Sequence, residues 1–326
     1  MKLLEISMTA PFENKTQGPS IRTTVSGHVT LAVGKEDGSS HEVRADFPNM
    51  VLDSGLELYA KGTFVGSLSA FAHVGSSGAA VNAAQTGLLA HLGVGFRSAN
   101  TYEVVSVDPF TVEQTSKYRF GAGVAQGNVA EIGFGSSNGR DYSYYPLFSR
   151  ALVLDEFGSP SAVTVLADEY LDVSYVLTFT TDIADVPFTM NLSTGSVSGV
   201  LRPSNLYALG STSSYAIGAF AAEPGSLYEV SNGTLGPITG EPTGATESST
   251  PDISARATPY VPGTLYRDFE YKLDVQQGNL PSGGFSAART RSSDIRRSFQ
   301  MSFDPPVPKT AERVFTFGIR ISVGRG

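Results

Sequence analysis

The chain has 326 residues, a formal net charge of −8, 40% hydrophobic but only 17% charged residues, and no cysteine. The acidic balance argues against a surface that tracks nucleic-acid phosphates, which needs Lys and Arg to displace counterions, and the missing thiols exclude disulfides, thiolate metal sites and a cysteine nucleophile. With 35 Gly, 18 Pro and 10% aromatic residues, the composition is that of a folded, turn-rich β protein, and the length favours two domains.

The opening apolar run is short and is broken by Glu5, so it does not read as a secretory leader, and no later stretch is long and apolar enough to span a bilayer. The expectation is a soluble protein made in the cytoplasm with no membrane partner. The residues that follow are polar and carry Pro11, Gly18 and Pro19, so 1–21 reads as an extended N-terminal arm. Val29, Leu31 and Val33 alternate with smaller or polar residues, Lys35 to Gly38 supply turn residues, and Val43, Ala45 and Phe47 alternate again, which predicts a β-hairpin. Leu52, Leu56 and Tyr59 then fall at helical spacing, predicting a short helix capped by Asn49. Residues 71–75 predict a brief strand and 81–92 a second short helical turn. Strands follow at 102–107, 118–124 and 171–179, the last in strict period two: Leu171, Val173, Tyr175, Leu177 and Phe179. Near the carboxyl end, Phe299, Met301 and Phe303 alternate, as do Phe315, Phe317, Ile319, Ile321 and Val323. Residues 236–262, rich in Pro, Gly, Thr and Ser, predict a long surface loop.

An internal repeat organises these elements. Val124-Ala125-Gln126-Gly127-Asn128 recurs as Val275-Gln276-Gln277-Gly278-Asn279, Tyr118 and Phe120 recur as Phe269 and Tyr271, and each half ends on a long alternating strand. The expected fold is all-β: two tandem, related β-sandwich domains, jelly-roll or Ig-like, with one or two short helices. The first spans 22–181 and the second 182–326.

No constellation carries chemistry. His28, His41, His73 and His91 have no metal-binding spacing. The carboxylates Asp168, Glu169, Asp172, Asp182 and Asp185 invite a glycosidase or calcium reading, but they come without Trp and without a dense oxygen cage, which favours solvated loops. The glycines of 121–127 miss the phosphate-cradle spacing, and no GxSxG elbow occurs. The sequence therefore assigns no catalytic residue, no cofactor and no metal, and reads as a non-enzyme. Arg289, Arg291, Arg296 and Arg297 form the one basic cluster; together with Phe315 and Phe317 on the closing strand they are assigned as assembly contacts.

Phe47-Pro48-Asn49-Met50-Val51-Leu52-Asp53-Ser54-Gly55-Leu56 resembles an opening phrase, N-x-V-x-D-x-G-L, of tailed-bacteriophage virion proteins. Phe71-Ala72-His73-Val74-Gly75-Ser76, Ala130-Glu131-Ile132-Gly133-Phe134, Leu147-Phe148-Ser149-Arg150-Ala151-Leu152 and Phe303-Asp304-Pro305-Pro306-Val307 resemble further phrases of the same class, in the same order. The resemblance implies a structural component of the virion at the tail, baseplate or fibre attachment, whose partners are copies of itself and other virion proteins. A capsid decoration or collar protein is one alternative. A receptor-recognition tail protein is the other, with 14 Tyr and 19 Phe to stack on a host surface glycan.

Overall fold

A computed structural model describes residues 4–7, 19–62, 65–204, 226–238, 240–244, 246–253, 256–280, 284–291 and 298–326. The fold is all-β with short helices. Two compact units make up the chain: Thr24–Thr180 with Val323–Gly326, and Met1–Thr23 with Thr181–Ser322. The N-terminal strand β1 (Leu4–Ser7) belongs to the second of these.

The first unit is built on β2 (Ser20–Lys35), β3 (His41–Val51), helices α1 (Asp53–Ala60) and α2 (Val65–Leu68), β4 (Phe71–Gly75), β5 (His91–Val107), β6 (Phe110–Phe120), β7 (Gly127–Val129), β8 (Glu131–Gly135), β9 (Leu147–Leu152), β10 (Val163–Val165) and β11 (Glu169–Thr181). The ladder runs β11-β6-β5-β4-β8-β9-β3-β2, and β2 pairs back with β11, closing a ring of eight strands. A sandwich is the expectation for this unit, and the closed ring corrects it. Strands of 16, 17 and 13 residues accumulate enough right-handed twist for the sheet's ends to meet. Closure leaves β2 and β11 without the open edges a sandwich would carry.

The period-two runs turn Val29, Leu31, Phe47, Phe120, Phe134, Leu171, Val173, Tyr175 and Leu177 into the core. Tyr175 stacks on Phe134 at 3.7 Å between ring centroids, and its hydroxyl is 2.7 Å from the Ser149 hydroxyl. The predicted helix exists but starts later. Asn49 still belongs to β3, opposite Gly27, and the residue before α1 is Leu52, which makes no side-chain cap. α1 lies against β9 so closely that a methyl group at Gly55 would run into the Phe148 carbonyl. No helix forms at 81–92. Asn82 and Gln85 bond locally to the backbone instead, Gln85 Oε1 accepting from the Asn82 N–H at 2.8 Å and Asn82 Oδ1 from the Ala84 N–H at 2.9 Å, and β5 already begins at His91. The strand predicted at 118–124 ends at Phe120, in a turn closed by Val124 N–H to the Gly121 carbonyl.

The second unit adds β12 (Val186–Leu192), β13 (Gly195–Ser204), β14 (Ser226–Ser231), β15 (Thr246–Ile253), β16 (Arg256–Ala257), β17 (Tyr266–Leu273), β18 (Phe285–Arg291), β19 (Ser298–Val307) and β20 (Arg313–Arg325). One sheet has the order β12-β13-β19-β18-β14-β15; a second ladder joins β16, β17 and β20, with β1 parallel to β20. Phenylalanines from the two sheets meet: Phe303 of β19 lies 6.0 Å from Phe315 and 6.5 Å from Phe317 of β20, and Phe285 of β18 lies 5.3 Å from Phe315. β12 stands at the sheet edge, where Pro187 offers no N–H to a stray strand. The segment 236–262, expected as loop, contains β15 and β16. Pairing to β14 and β17 orders a stretch whose composition carries no strand signal.

Candidate functional site

The outer side of the β4-β8-β9 wall is covered by residues 76–90, a strap connecting β4 to β5. Alternation along β8 and β9 turns Ile132 and Phe134 into the core and leaves Glu131 and Arg150 under this strap, both fully buried. Arg150 Nε and Nη2 both donate to Glu131 Oε2, at 3.0 and 2.7 Å, a charged pair in which two guanidinium donors converge on one carboxylate oxygen. Its remaining donors hold the strap: Nη1 to Gln85 Oε1 at 2.7 Å and Nη2 to the Ala79 carbonyl at 3.3 Å. Glu131 holds the strap's far end, Oε1 accepting from the Leu89 and Ala90 N–H groups at 3.1 and 2.8 Å. Gly75 must lack a side chain, because a methyl there would collide with Glu131 Oε1 and the Ala90 carbonyl. The backbone pairs Leu147 N–H to Thr86 carbonyl and Asp53 N–H to Ala83 carbonyl complete the fastening, and Leu52, Leu88 and Leu147 form an apolar cluster beneath it, flanked by Val81 and Tyr142.

Next to the ion pair sits a ring cluster. His73, wholly buried, places Nε2 2.8 Å from the Ser137 carbonyl, which puts the proton on that nitrogen and leaves Nδ1 as an acceptor. Nδ1 faces the Tyr142 hydroxyl at 3.3 Å and His91 Nε2 at 3.4 Å. Burial pushes His73 down to about 4, with the charges of His91 and Arg140 acting the same way against the Ser137 bond. Burial and then Arg140 lower His91, and burial followed by the Glu131 charge raises Tyr142. The histidines are therefore neutral near pH 7.

This arrangement fastens a loop, with Glu131, Arg150 and His73 buried and His91 and Tyr142 partly exposed. Among the described residues no group of three His, Asp or Glu is placed to hold a metal ion. The acids singled out from sequence are tied up in pairs and turns: Asp168 with Lys35 at 2.9 Å, Asp172 with both Nε and Nη2 of Arg119 at 2.7 Å, Asp185 with both Nε and Nη2 of Arg202 at 2.6 Å. Glu169 Oε2 accepts from the Leu166 N–H and Asp182 Oδ1 from the Ala184 N–H. His28 bonds Asp46 across the hairpin face.

The residues assigned as assembly contacts divide. Phe315 and Phe317 are buried in the second unit's core, since alternation on β20 turns them toward β18 and β19, so they are unavailable as surface contacts. Arg289 is buried too, paired with Glu229 at 2.9 Å and with Glu241. Arg291 ends β18, and Arg296 and Arg297 lie outside the described residues. Sequence reasoning passed over Glu131 and Arg150, although the signal was present: each is the single charge inside an otherwise apolar or small run, Ala130 to Phe134 and Leu147 to Leu152. No family model, curated protein or solved structure matches the chain.

The histidine cluster predicts an acid-labile window. Above the ordinary histidine value of 6.5 both folded and unfolded chains are neutral at His73. As pH falls, the unfolded chain takes up a proton while the folded one resists until about 4, so stability declines across that interval by roughly 3 kcal/mol. The lowered His91 acts in the same direction. Asp168 and Asp185, held low by Lys35 and Arg202, weaken the fold only below the ordinary carboxylate value of 3.8. Urea unfolding of wild type and His73→Gln across the window checks this. The variant should lose most of the slope, and an unchanged slope would refute the assignment to His73.

Proposed function

We propose that the chain is a structural component of a tailed-bacteriophage particle, at the tail, baseplate or fibre attachment, made of two related β domains that act by packing against copies of themselves and other virion proteins. The observation that carries this reading is the distribution of exposed large apolar side chains. Among the described residues all but Val261 lie in the barrel unit, led by Phe157 (84% exposed) and Tyr144 (73%) and including Phe96 and Leu89. These exposed apolar side chains are available for protein contact, while Glu131 and Arg150 of the same unit are engaged in fastening the strap.

Kinship of the two domains is supported by strand order. The ring β11-β6-β5-β4-β8-β9-β3-β2 is matched by β20-β17, then β16 and β15, then β14-β18-β19-β13-β12. The second copy is the opened, sandwich-like form of the first. Its β15 and β16 together take the place of β5. The repeated pentapeptide follows β6 in one copy and β17 in the other. In both its glycine has positive φ, 122° at Gly127 and 69° at Gly278, and a buried apolar residue follows, Val129 or Leu280.

The test is twofold. Mass spectrometry of purified particles should find the chain in many copies. Light scattering of the purified full chain should show oligomers that dissociate in a Phe157→Ser, Tyr144→Ser variant of unchanged stability. A chain absent from particles and monomeric at every concentration ends the proposal. A receptor-glycan role has one observation in its favour, the exposed pair Tyr144 and Tyr145, edge-to-face at 4.6 Å. Polysaccharide binding abolished by the same variant, without any change in oligomeric state, would select it.

A further inference from the structure

Three separate segments of the barrel unit bring polar ring atoms together: β4 supplies His73, the first residue of β5 is His91, and the connection from β8 to β9 carries Tyr142. His73 Nδ1 lies 3.4 Å from His91 Nε2 and 3.3 Å from the Tyr142 hydroxyl. Both separations are long for hydrogen bonds, whose common range is about 2.7–3.0 Å. Donors bound tetrahedrally to one zinc-type ion, each about 2.0–2.1 Å from it, stand about 3.3–3.4 Å from one another. The two edges that meet at His73 Nδ1 match the second spacing and not the first.

The proton inventory points the same way. His73 donates Nε2–H to the Ser137 carbonyl, as a metal-binding histidine donates its second nitrogen to a fixed acceptor, and this aims the Nδ1 lone pair at the other two groups. That single lone pair serves the His91 N–H or the Tyr142 O–H, but not both. His91 Nδ1 is buried without a hydrogen bond, so no bond there dictates which of its nitrogens carries the proton. Of the charges felt at His91, that of Arg140 opposes a cation and that of Glu131 favours it; Arg140 is exposed, so solvent screens it more. We propose that His73 Nδ1, His91 Nε2 and the Tyr142 oxygen bind one divalent transition-metal ion of the zinc class, with water as the fourth ligand and the Tyr142 proton released to solvent. Two nitrogen donors select such an ion over calcium or magnesium, which take oxygen ligands. The ion ties the end of the strap to β4 and to the connection that presents Tyr144 and Tyr145. This site goes beyond the assembly reading and does not depend on it.

The test is calorimetric titration of Zn2+ into the full chain after treatment with EDTA and its removal. One ion should bind per chain. His91→Ala, at a partly exposed position, should weaken binding by more than about a hundredfold, beyond what losing an outer-shell partner costs. Tyr142→Phe, which keeps the ring, should weaken it by about tenfold or more. The double variant His28→Ala, His41→Ala removes the two histidines on the outer surface and should bind as wild type does. Co2+ bound in place of zinc reports the geometry, because a tetrahedral site absorbs visible light far more strongly than an octahedral one. Absence of binding, affinity unchanged in His91→Ala or in Tyr142→Phe, loss of binding in the His28, His41 variant, or the faint spectrum of octahedral Co2+ each overturns the site. Circular dichroism of each variant separates lost ligands from lost fold, and the Co2+ spectrum of wild type decides the matter if a variant unfolds.

Discussion

Replacing Arg150 by Met costs the barrel unit about 3–5 kcal/mol, measured as a fall in urea midpoint at unchanged slope, and strips hydrogen-exchange protection first from Leu89 and Ala90. The change leaves Glu131 as a buried carboxylate whose remaining contacts are two backbone N–H groups, at a site with no water access. It also removes the guanidinium bonds to Gln85 Oε1 and the Ala79 carbonyl, which tie the strap to β9. Replacing both charges does not restore stability as it does for ion pairs that hold only each other. Arg150→Met with Glu131→Leu orphans the Leu89 and Ala90 N–H groups and keeps a penalty of about 1–3 kcal/mol for each group left unsatisfied. Arg150→Met with Glu131→Gln keeps an acceptor for those donors and recovers more. A loss under about 1 kcal/mol in the single variant would mean that the strap is held by its apolar cluster and backbone bonds alone.

The same pair shows what was legible in the sequence and what was not. Period-two runs such as Leu171 to Phe179 and Phe315 to Val323 marked strands reliably, because alternation is imposed by any sheet with one buried face. Whether eight such strands make a sandwich or a ring is not a local property. It depends on β2 meeting β11, which start almost 150 residues apart, and both architectures use the same alternation. The strap was misread as a helical turn because its structure is dictated by Glu131 and Arg150, remote in sequence. β15 was missed because partner strands order it rather than propensity. Arg289 read as a surface cation since sequence cannot show that Glu229 and Glu241 converge on it. Phe315 and Phe317 were placed on the right strand but on the wrong face: alternation identifies a face, and in a lone strand the larger apolar residues belong to the core before any interface.

Phe303→Ala is expected to cost about 3–5 kcal/mol, and its effect should be confined to the second unit. The reason lies in how that unit is held together. The barrel's strands form one continuous backbone ladder, so deleting one core ring leaves every strand still paired. In the second unit β12 and β20 stay apart, and Phe303 is where the sheets touch, within 5.4 Å of Phe285, 6.0 Å of Phe188 and Phe315, and 6.5 Å of Phe317. Removing it opens a cavity bordered by four aromatic rings and removes the ring by which β19 meets Phe315 and Phe317 of β20. Denaturation should then split into two transitions, the earlier one abolishing protection in β18 to β20 while β4, β8 and β11 remain protected. A single transition, with barrel and second-unit amides lost together, would show instead that the two units unfold as one cooperative body and that their cores are not separately stable.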